Sequence, residues 1–184
     1  PLPKDLSPLS AERVFARSNL PGGEGGQGGE GGTSSRLAVV GVGRAGRGDD
    51  AAGPALCAEL ARLERGREDL LVLDAGIAPE NVGGALRRFH PTLVVLVDAA
   101  EMGMAPGAVR RLDRRKLPGC SASTHTVPLD LLARFLSAYL ECRVSILGIQ
   151  PGRLGADGPL SRPVARAVRR LARHLSAEPR TGHD

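Results

Sequence analysis

Four aspartates that follow short apolar runs are the strongest chemical signal in this chain. The aspartates are Asp49, Asp50, Asp74 and Asp98. The runs before them are rich in leucine and valine and cover residues 37–40, 70–73 and 93–97. Continuous apolar runs of this length are typical of strands that are buried on both faces of a parallel sheet. Because ligands bind at the carboxyl edge of such a sheet, we expect all four carboxylates to gather there.

A histidine in a hydroxyl-rich segment extends this set of possible ligands. His125 lies within Ser121-Ala122-Ser123-Thr124-His125-Thr126 and not on an apolar stripe. Taken alone, a hydrogen-bonded loop histidine is the simpler interpretation. Taken with two or three of the carboxylates, its imidazole completes an oxygen and nitrogen donor set that suits a divalent metal ion.

Asp49 and Asp50 are adjacent, so their side chains point in different directions. An acid at the start of a helix caps free N–H groups and opposes the helix dipole. One acid satisfies that role, and the second is left over. We therefore expect one acid of the pair to be a helix cap and the other to be a ligand.

The turn before this pair reads Gly41-Val42-Gly43-Arg44-Ala45-Gly46 and matches the G-x-G-x-x-G pattern of a dinucleotide-binding turn. Two features weaken that interpretation. The acids of the pair would lie beside the phosphates and repel them. The next acid at a strand end, Asp74, also comes later than the offset of about 20 residues expected of a ribose ligand. Nucleotide binding therefore remains an alternative only.

Strand and helix patterns alternate from Arg36 onward, and they define the elements that must position these residues. Strands are predicted at 37–42, 70–74, 93–98 and 143–149, with a short strand at 108–113. Helices are predicted at 51–65, 80–88, 128–140 and 161–176. This alternation predicts an α/β fold in three layers, α/β/α, around a mostly parallel, twisted sheet of about five strands.

Composition divides the chain into one folded domain and two flanking segments. Residues 1–35 contain the run PGGEGGQGGEGG and are expected to be a disordered, glycine-rich extension. Residues 36–178 are expected to form the domain, and residues 179–184 a tail. The isolated Cys57, Cys120 and Cys142 argue against a disulfide framework or a thiolate zinc site and favour a reducing compartment.

Charge and hydropathy exclude several kinds of partner. The net charge of +5 comes from arginines spread along the whole chain, which is typical of a solvated surface and not of a nucleic-acid footprint. No apolar run approaches the ~20 residues that cross a bilayer, and the N-terminus lacks a signal-peptide core. We expect a cytoplasmic monomer that binds neither nucleic acid nor membrane.

Five sequence blocks occur in an order typical of one protein family. They are the glycine turn with Asp49-Asp50 and Gly53-Pro54, Asp74-Ala75-Gly76 with Pro79-Glu80-Asn81, residues 97–103 with Pro106-Gly107, Ser123-Thr124-His125-Thr126 with Pro128-Leu129, and Leu147-Gly148-Ile149-Gln150-Pro151. With these blocks, residues 37–175 resemble the maturation endopeptidases of [NiFe] hydrogenases, especially the branch that serves hydrogenase 3-type enzymes.

The resemblance implies a fold of the phosphorylase/hydrolase-like kind. It also implies a hydrolase that removes a short C-terminal extension from the hydrogenase large-subunit precursor after nickel insertion. It implies Asp50, Asp98 and His125 as metal ligands. It also implies Asp50, Asp74 and Asp98 as the catalytic carboxylates, with a supporting role for Asp74. Two mechanisms stay open. A nickel or other divalent ion activates water or polarises the scissile carbonyl, or the site recognises the nickel of the substrate while an aspartate acts as general base, as in an aspartic-type protease.

Arg44 departs from the family pattern, which usually has asparagine after the second glycine of the turn. A long cation at this position could pair with Asp49 or Asp74, or weaken metal binding by competing charge. The departure keeps a second function open, a relative that binds the nickel-loaded precursor without cleaving it. A nucleotide-binding α/β protein is the third possibility.

Overall fold

The computed structural model describes residues 35–64, 66–112 and 128–177. Its strands are β1 (Leu37–Val42), β2 (Leu70–Gly76), β3 (Leu93–Ala99), β4 (Val109–Arg111) and β5 (Arg143–Ile149). Its α-helices are α1 (Ala52–Leu63), α2 (Gly83–Phe89), α3 (Leu129–Leu140) and α4 (Arg162–Ser176). Two 3₁₀ turns, Gly48–Ala51 and Pro79–Val82, precede α1 and α2. The chain segments at 1–34, 113–127 and 178–184 are outside the described residues, and with them lie His125 and nearly all of the predicted extension and tail.

The five strands form one sheet in the order β2-β1-β3-β5-β4, in which only β4 runs antiparallel to its neighbour. The chain passes from β1 outward to β2 and then returns to the other side of β1 to form β3. This reversal between β1 and β3 is a topological switch point, where α/β sheets open a crevice at the carboxyl ends of their strands. The fold class predicted from the sequence is confirmed.

The strand register brings three predicted site segments to the same level of this edge. Gly41 of β1 pairs with Asp74 of β2 on one side. On its other side Gly41 pairs with Val97 of β3, the residue directly before Asp98. The acids of β2 and β3 therefore flank the end of β1.

Helices cover the sheet on two sides. Val40 and Leu96 belong to a buried apolar cluster with Leu86 of α2 and Leu136 of α3. Alternate residues of a strand point to opposite faces, so the neighbouring strand residues face the other way, where α1 packs against α4 and the strands. Helix α4 buries the apolar face predicted for it, which comprises Val164, Val168, Leu171 and Leu175.

The prediction that all three acid-bearing strands are buried on both faces is wrong for β2. Strands β1 and β3 are buried along their whole length, whereas β2 is half-buried and its Asp74 is exposed. The reason is position, since β2 is an edge strand that the helix layers cover only in part. None of the helices in the described ranges has the length and apolar character that a bilayer crossing requires.

Candidate functional site

The start of α1 lies directly against the ends of β1 and β3, and glycine makes this approach possible. A Cβ atom on Gly53 would lie 2.6 Å from the carbonyl oxygen of Val97. A Cβ atom on Gly41 would lie 2.5 Å from the carbonyl carbon of Gly53. Because a larger residue fits on neither side, the backbone just after Asp50 is held next to the strand that carries Asp98.

Asp50 lies in the 3₁₀ turn between β1 and α1, and its carboxylate faces the glycine turn. Its Oδ2 accepts a hydrogen bond from the backbone N–H of Arg44 at 3.1 Å. Gly43 has φ +134°, and a Cβ there would overlap the carbonyl oxygen of Asp50. The glycines of the G-x-G-x-x-G pattern thus fold the turn back onto Asp50. Within the described residues, the exposed Arg44 guanidinium forms no ion pair with Asp49 or Asp74.

Asp49 points away from Asp50 and into the protein, where it is 1% exposed. Its Oδ2 accepts the backbone N–H groups of Gly152 at 2.7 Å and Arg153 at 3.0 Å. Its Oδ1 accepts the backbone N–H of Ser161 at 2.7 Å. Burial alone would raise the pKa of Asp49, but these three donors outweigh it and hold the pKa below its usual value. Asp49 is therefore ionised at neutral pH.

The prediction that one acid of the pair caps the following helix is wrong. Neither the 3₁₀ turn nor α1 has a side-chain cap. Asp49 instead accepts hydrogen bonds from the loop after β5 and from Ser161, the residue directly before α4. One acid of the pair is nevertheless structural and the other faces outward, because the side chains of adjacent residues point in different directions.

Asp98 and Asp74 lie on either side of β1 in contrasting environments. Asp98 is 1% exposed and pairs in register with Gly148 of β5. Asp74 is exposed, and its Oδ1 accepts the backbone N–H of Gly76 at 2.9 Å, a local bond that tightens the end of β2. The strand order places Asp50 after the middle strand β1, with Asp98 at the end of one neighbouring strand and Asp74 at the end of the other.

The predicted metal ligands stay a prediction. His125, which would complete the ligand set with Asp50 and Asp98, lies outside the described residues. In the part of the chain that the structure describes, no three His, Cys, Asp or Glu side chains cluster in a way that could hold a metal ion.

Gln150, directly after β5, has a role at this edge that no pattern above predicts. It is 3% exposed, and its Oε1 accepts the backbone N–H groups of Met102 at 2.7 Å and Met104 at 3.2 Å. Its Nε2 donates to Glu101 Oε1 at 2.9 Å. The loop that follows Asp98 is thus held by one buried amide. The available sequence signal was a glutamine that closes an otherwise apolar strand.

The cysteines in the described residues are unreactive by environment. The thiol of Cys57 is buried and donates to the carbonyl oxygen of Leu73 at 3.3 Å. Burial raises the pKa of Cys57 to about 12, and it also raises the pKa of Cys142. Both thiols stay protonated at neutral pH, and neither supplies a nucleophile. Cys120 lies outside the described residues.

The known proteins that this chain resembles in sequence are hydrogenase maturation proteases. A family model described as hydrogenase maturation protease matches residues 54–178. The hydrogenase 3 maturation protease of Escherichia coli K12 is 36% identical over 135 residues, which cover 73% of this chain and 85% of that protein.

Solved structures agree with the sequence comparison. The [NiFe] hydrogenase maturation protease HycI of Thermococcus kodakarensis superimposes with a TM-score of 0.70 at 32% identity, covering 79% of this chain and 92% of that chain. A crystal structure of a hydrogenase 3 maturation protease gives a TM-score of 0.67 at 34% identity, covering 77% and 89%. The HybD endopeptidase of Escherichia coli, at 20% identity and a TM-score of 0.59 with 76% and 89% covered, shares the fold.

The fold and the family match thus define a protease of the α/β class, with the candidate acids at the carboxyl edge of its sheet. More specifically, the chain belongs to the hydrogenase maturation protease family, as the five sequence blocks implied.

Proposed function

We propose that this chain is an endopeptidase that removes the C-terminal extension of a [NiFe] hydrogenase large-subunit precursor after nickel insertion. Family membership carries the proposal, because the family model matches residues 54–178 and a hydrogenase 3 maturation protease is 36% identical. The name of that relative supports a hydrogenase precursor as the substrate class. The same match supports residues 36–178 as the protease domain, with 1–35 and 179–184 outside it.

We further propose that Asp50, Asp98 and His125 together bind the nickel ion that the precursor carries. Carboxylate oxygens and an imidazole nitrogen form a donor set that nickel accepts. Asp50 is partly exposed at the edge of the sheet, so a metal centre held in another protein can approach it. Asp98 lies deeper and would complete the set from the adjacent strand.

The environments of the acids suit them to different parts of the hydrolysis. When bound by Asp50, Asp98 and His125, a divalent ion would supply Lewis-acid chemistry, either to the scissile carbonyl or to a water molecule. Asp74 is exposed, and within the described residues its Oδ2 accepts no hydrogen bond, so this carboxylate is able to take a proton from water. We assign Asp74 this supporting role. Cys57 and Cys142 supply no nucleophile at neutral pH, so an acyl-enzyme formed on either thiol is not part of the proposal.

We propose that the chain acts as a monomer in the cytoplasm, without nucleic acid or membrane partners. Unpaired Cys57 and Cys142 fit a reducing compartment.

The test is mass spectrometry of purified precursor incubated with this chain. We expect nickel-loaded precursor to lose the mass of its extension, and nickel-free precursor to stay intact. Asp50→Asn and Asp98→Asn should each abolish the loss. Asp157→Asn is the matched control, since Asp157 pairs with Arg47 at the surface and is 82% exposed.

Other outcomes of this experiment are equally informative. A stable complex with nickel-loaded precursor and no loss of mass would replace the enzyme with a non-cleaving binding protein. Equal cleavage of nickel-free precursor would show that Asp50, Asp98 and His125 do not recognise nickel.

A further inference from the structure

We infer that residues 150–153, which follow β5, form a clamp that sets the positions of the Asp50 and Asp98 loops relative to each other. Asp49 and Gln150 are its positioning residues. The effect on cleavage rests on the proposed function, whereas the effect on geometry does not.

The first arm of the clamp holds the Asp50 loop. Asp49 precedes Asp50 in the 3₁₀ turn, and its carboxylate accepts the N–H groups of Gly152 at 2.7 Å and Arg153 at 3.0 Å. A third donor, Ser161, ties the same carboxylate to the start of α4 at 2.7 Å. Hydrogen bonds to an ionised acceptor are about twice as strong as neutral ones, and burial excludes water as a competitor. These bonds fix the backbone directly before Asp50, and with it the direction of the Asp50 side chain.

The second arm holds the loop after Asp98. The side-chain oxygen of Gln150 accepts N–H groups from Met102 and Met104, at 2.7 and 3.2 Å. The backbone of Gln150 is itself anchored, because its N–H donates to Ala108 at 2.8 Å and its carbonyl accepts from Gly107 at 2.8 Å. The amide is thus a fixed support for the loop.

Both arms start from the same four residues, so a displacement at one arm is passed to the other. Gly152 lies between them. A Cβ on Gly152 would lie 3.3 Å from Asp49 Oδ2 and 3.4 Å from the Cβ of Pro106, in the loop that follows Asp98. The clamp spans the switch point, where small shifts change the separation of the two acids.

Asp50 carries its own reporter of position. The backbone N–H of Arg44 donates to Asp50 Oδ2 at 3.1 Å, so the amide proton shift of Arg44 depends on where that carboxylate lies. This signal is independent of cleavage.

The experiment compares Asp49→Asn and Gln150→Met with Thr92→Val in the full chain. Thr92 is the matched control, since it lies at the opposite edge of the sheet and also hydrogen-bonds to backbone. Its hydroxyl accepts the N–H of Arg36 at 3.0 Å and donates to the carbonyl oxygen of Arg36 at 3.2 Å. Two readouts are measured, the amide proton shifts by NMR and the kcat and KM for nickel-loaded precursor.

In Asp49→Asn we expect the Arg44 amide shift to move to its value in Asp50→Ala. In Gln150→Met the amides of Met102 and Met104 should shift. Both variants should lose kcat by about a hundredfold with KM unchanged, the cost of roughly 1 Å of misplacement. Thr92→Val should leave the Arg44, Met102 and Met104 shifts and the kinetic constants unchanged, although its folded state should be less stable.

Asp49→Asn could instead be less stable and still keep the Arg44 amide shift and the kcat of the unaltered chain. That result would overturn the clamp and leave Asp49 a purely structural residue. If the unaltered chain cleaves no precursor, the proposed function fails, and the Arg44 shift still decides for or against the clamp.

Discussion

Replacement of one helical glycine by alanine tests the packing that holds the site together. Gly53 and Gly84 are each the second residue of a helix, α1 and α2 respectively. Alanine is favoured over glycine within helices by about 1 kcal/mol, so propensity alone predicts that both substitutions stabilise the protein. The surroundings of the new methyl group decide otherwise at Gly53.

The magnitudes follow from the atoms that each new Cβ would meet. At Gly84 the nearest is the flexible Arg88 Nη1 at 3.7 Å, an ordinary contact, and we expect the free energy of unfolding to rise by about 0.5–1 kcal/mol. At Gly53 the Cβ would meet the backbone nitrogen of Val42 at 2.5 Å and the carbonyl oxygen of Val97 at 2.6 Å. Since strand backbone cannot rotate away, overpacking costs about 3 kcal/mol, and the net loss is roughly 2 kcal/mol.

The assay is urea and thermal unfolding of both variants beside the unaltered chain. In a domain of this size 1 kcal/mol corresponds to about 2–4 °C in Tm, so Gly53→Ala should melt roughly 4–8 °C lower. Cleavage per folded molecule should also fall, because α1 must move and take Asp50 with it. A Gly53→Ala protein as stable as Gly84→Ala would refute the close packing of α1 on β1 and β3.

Two further predictions follow from the titratable groups. Asp49 has a native pKa below its usual 3.8, so its stabilising effect is present above that pH and is lost as the pH falls through 3.8 toward the native pKa. The free energy of unfolding should therefore drop more between pH 6 and pH 3 for the unaltered chain than for Asp49→Asn, and equal drops would contradict this. Cys57, with its pKa raised to about 12, should resist iodoacetamide at pH 8 until urea is added. Peptide mass mapping checks this, and native modification at the rate of a free thiol would disprove the burial.

The strands and helices could be predicted because their signals are local. Residues 37–42 and 143–149 were predicted as strands with the bounds that β1 and β5 have. The helix predicted at 80–88 is found as the turn Pro79–Val82 and α2, and His90 follows α2 in the left-handed conformation. The lesser burial of β2 could not be read from its apolar run, because edge position depends on the strand order.

The partners of the acids could not be predicted, because they are distant in sequence. The donors to Asp49 lie 103, 104 and 112 residues away. A sequence pattern shows that one acid of a pair is surplus, but it does not show which distant loop binds the other. Gln150 is a similar case, with Met102 and Met104 lying 48 and 46 residues before it.

Processing of nickel-loaded precursor by His125→Ala tests the proposed convergence of ligands most directly. His90→Asn is the matched control, since asparagine tolerates the left-handed conformation that ends α2. We predict that His125→Ala keeps the unfolding temperature of the unaltered chain and leaves the precursor at full mass, while His90→Asn cleaves it. Cleavage by His125→Ala at the unaltered rate would contradict the account.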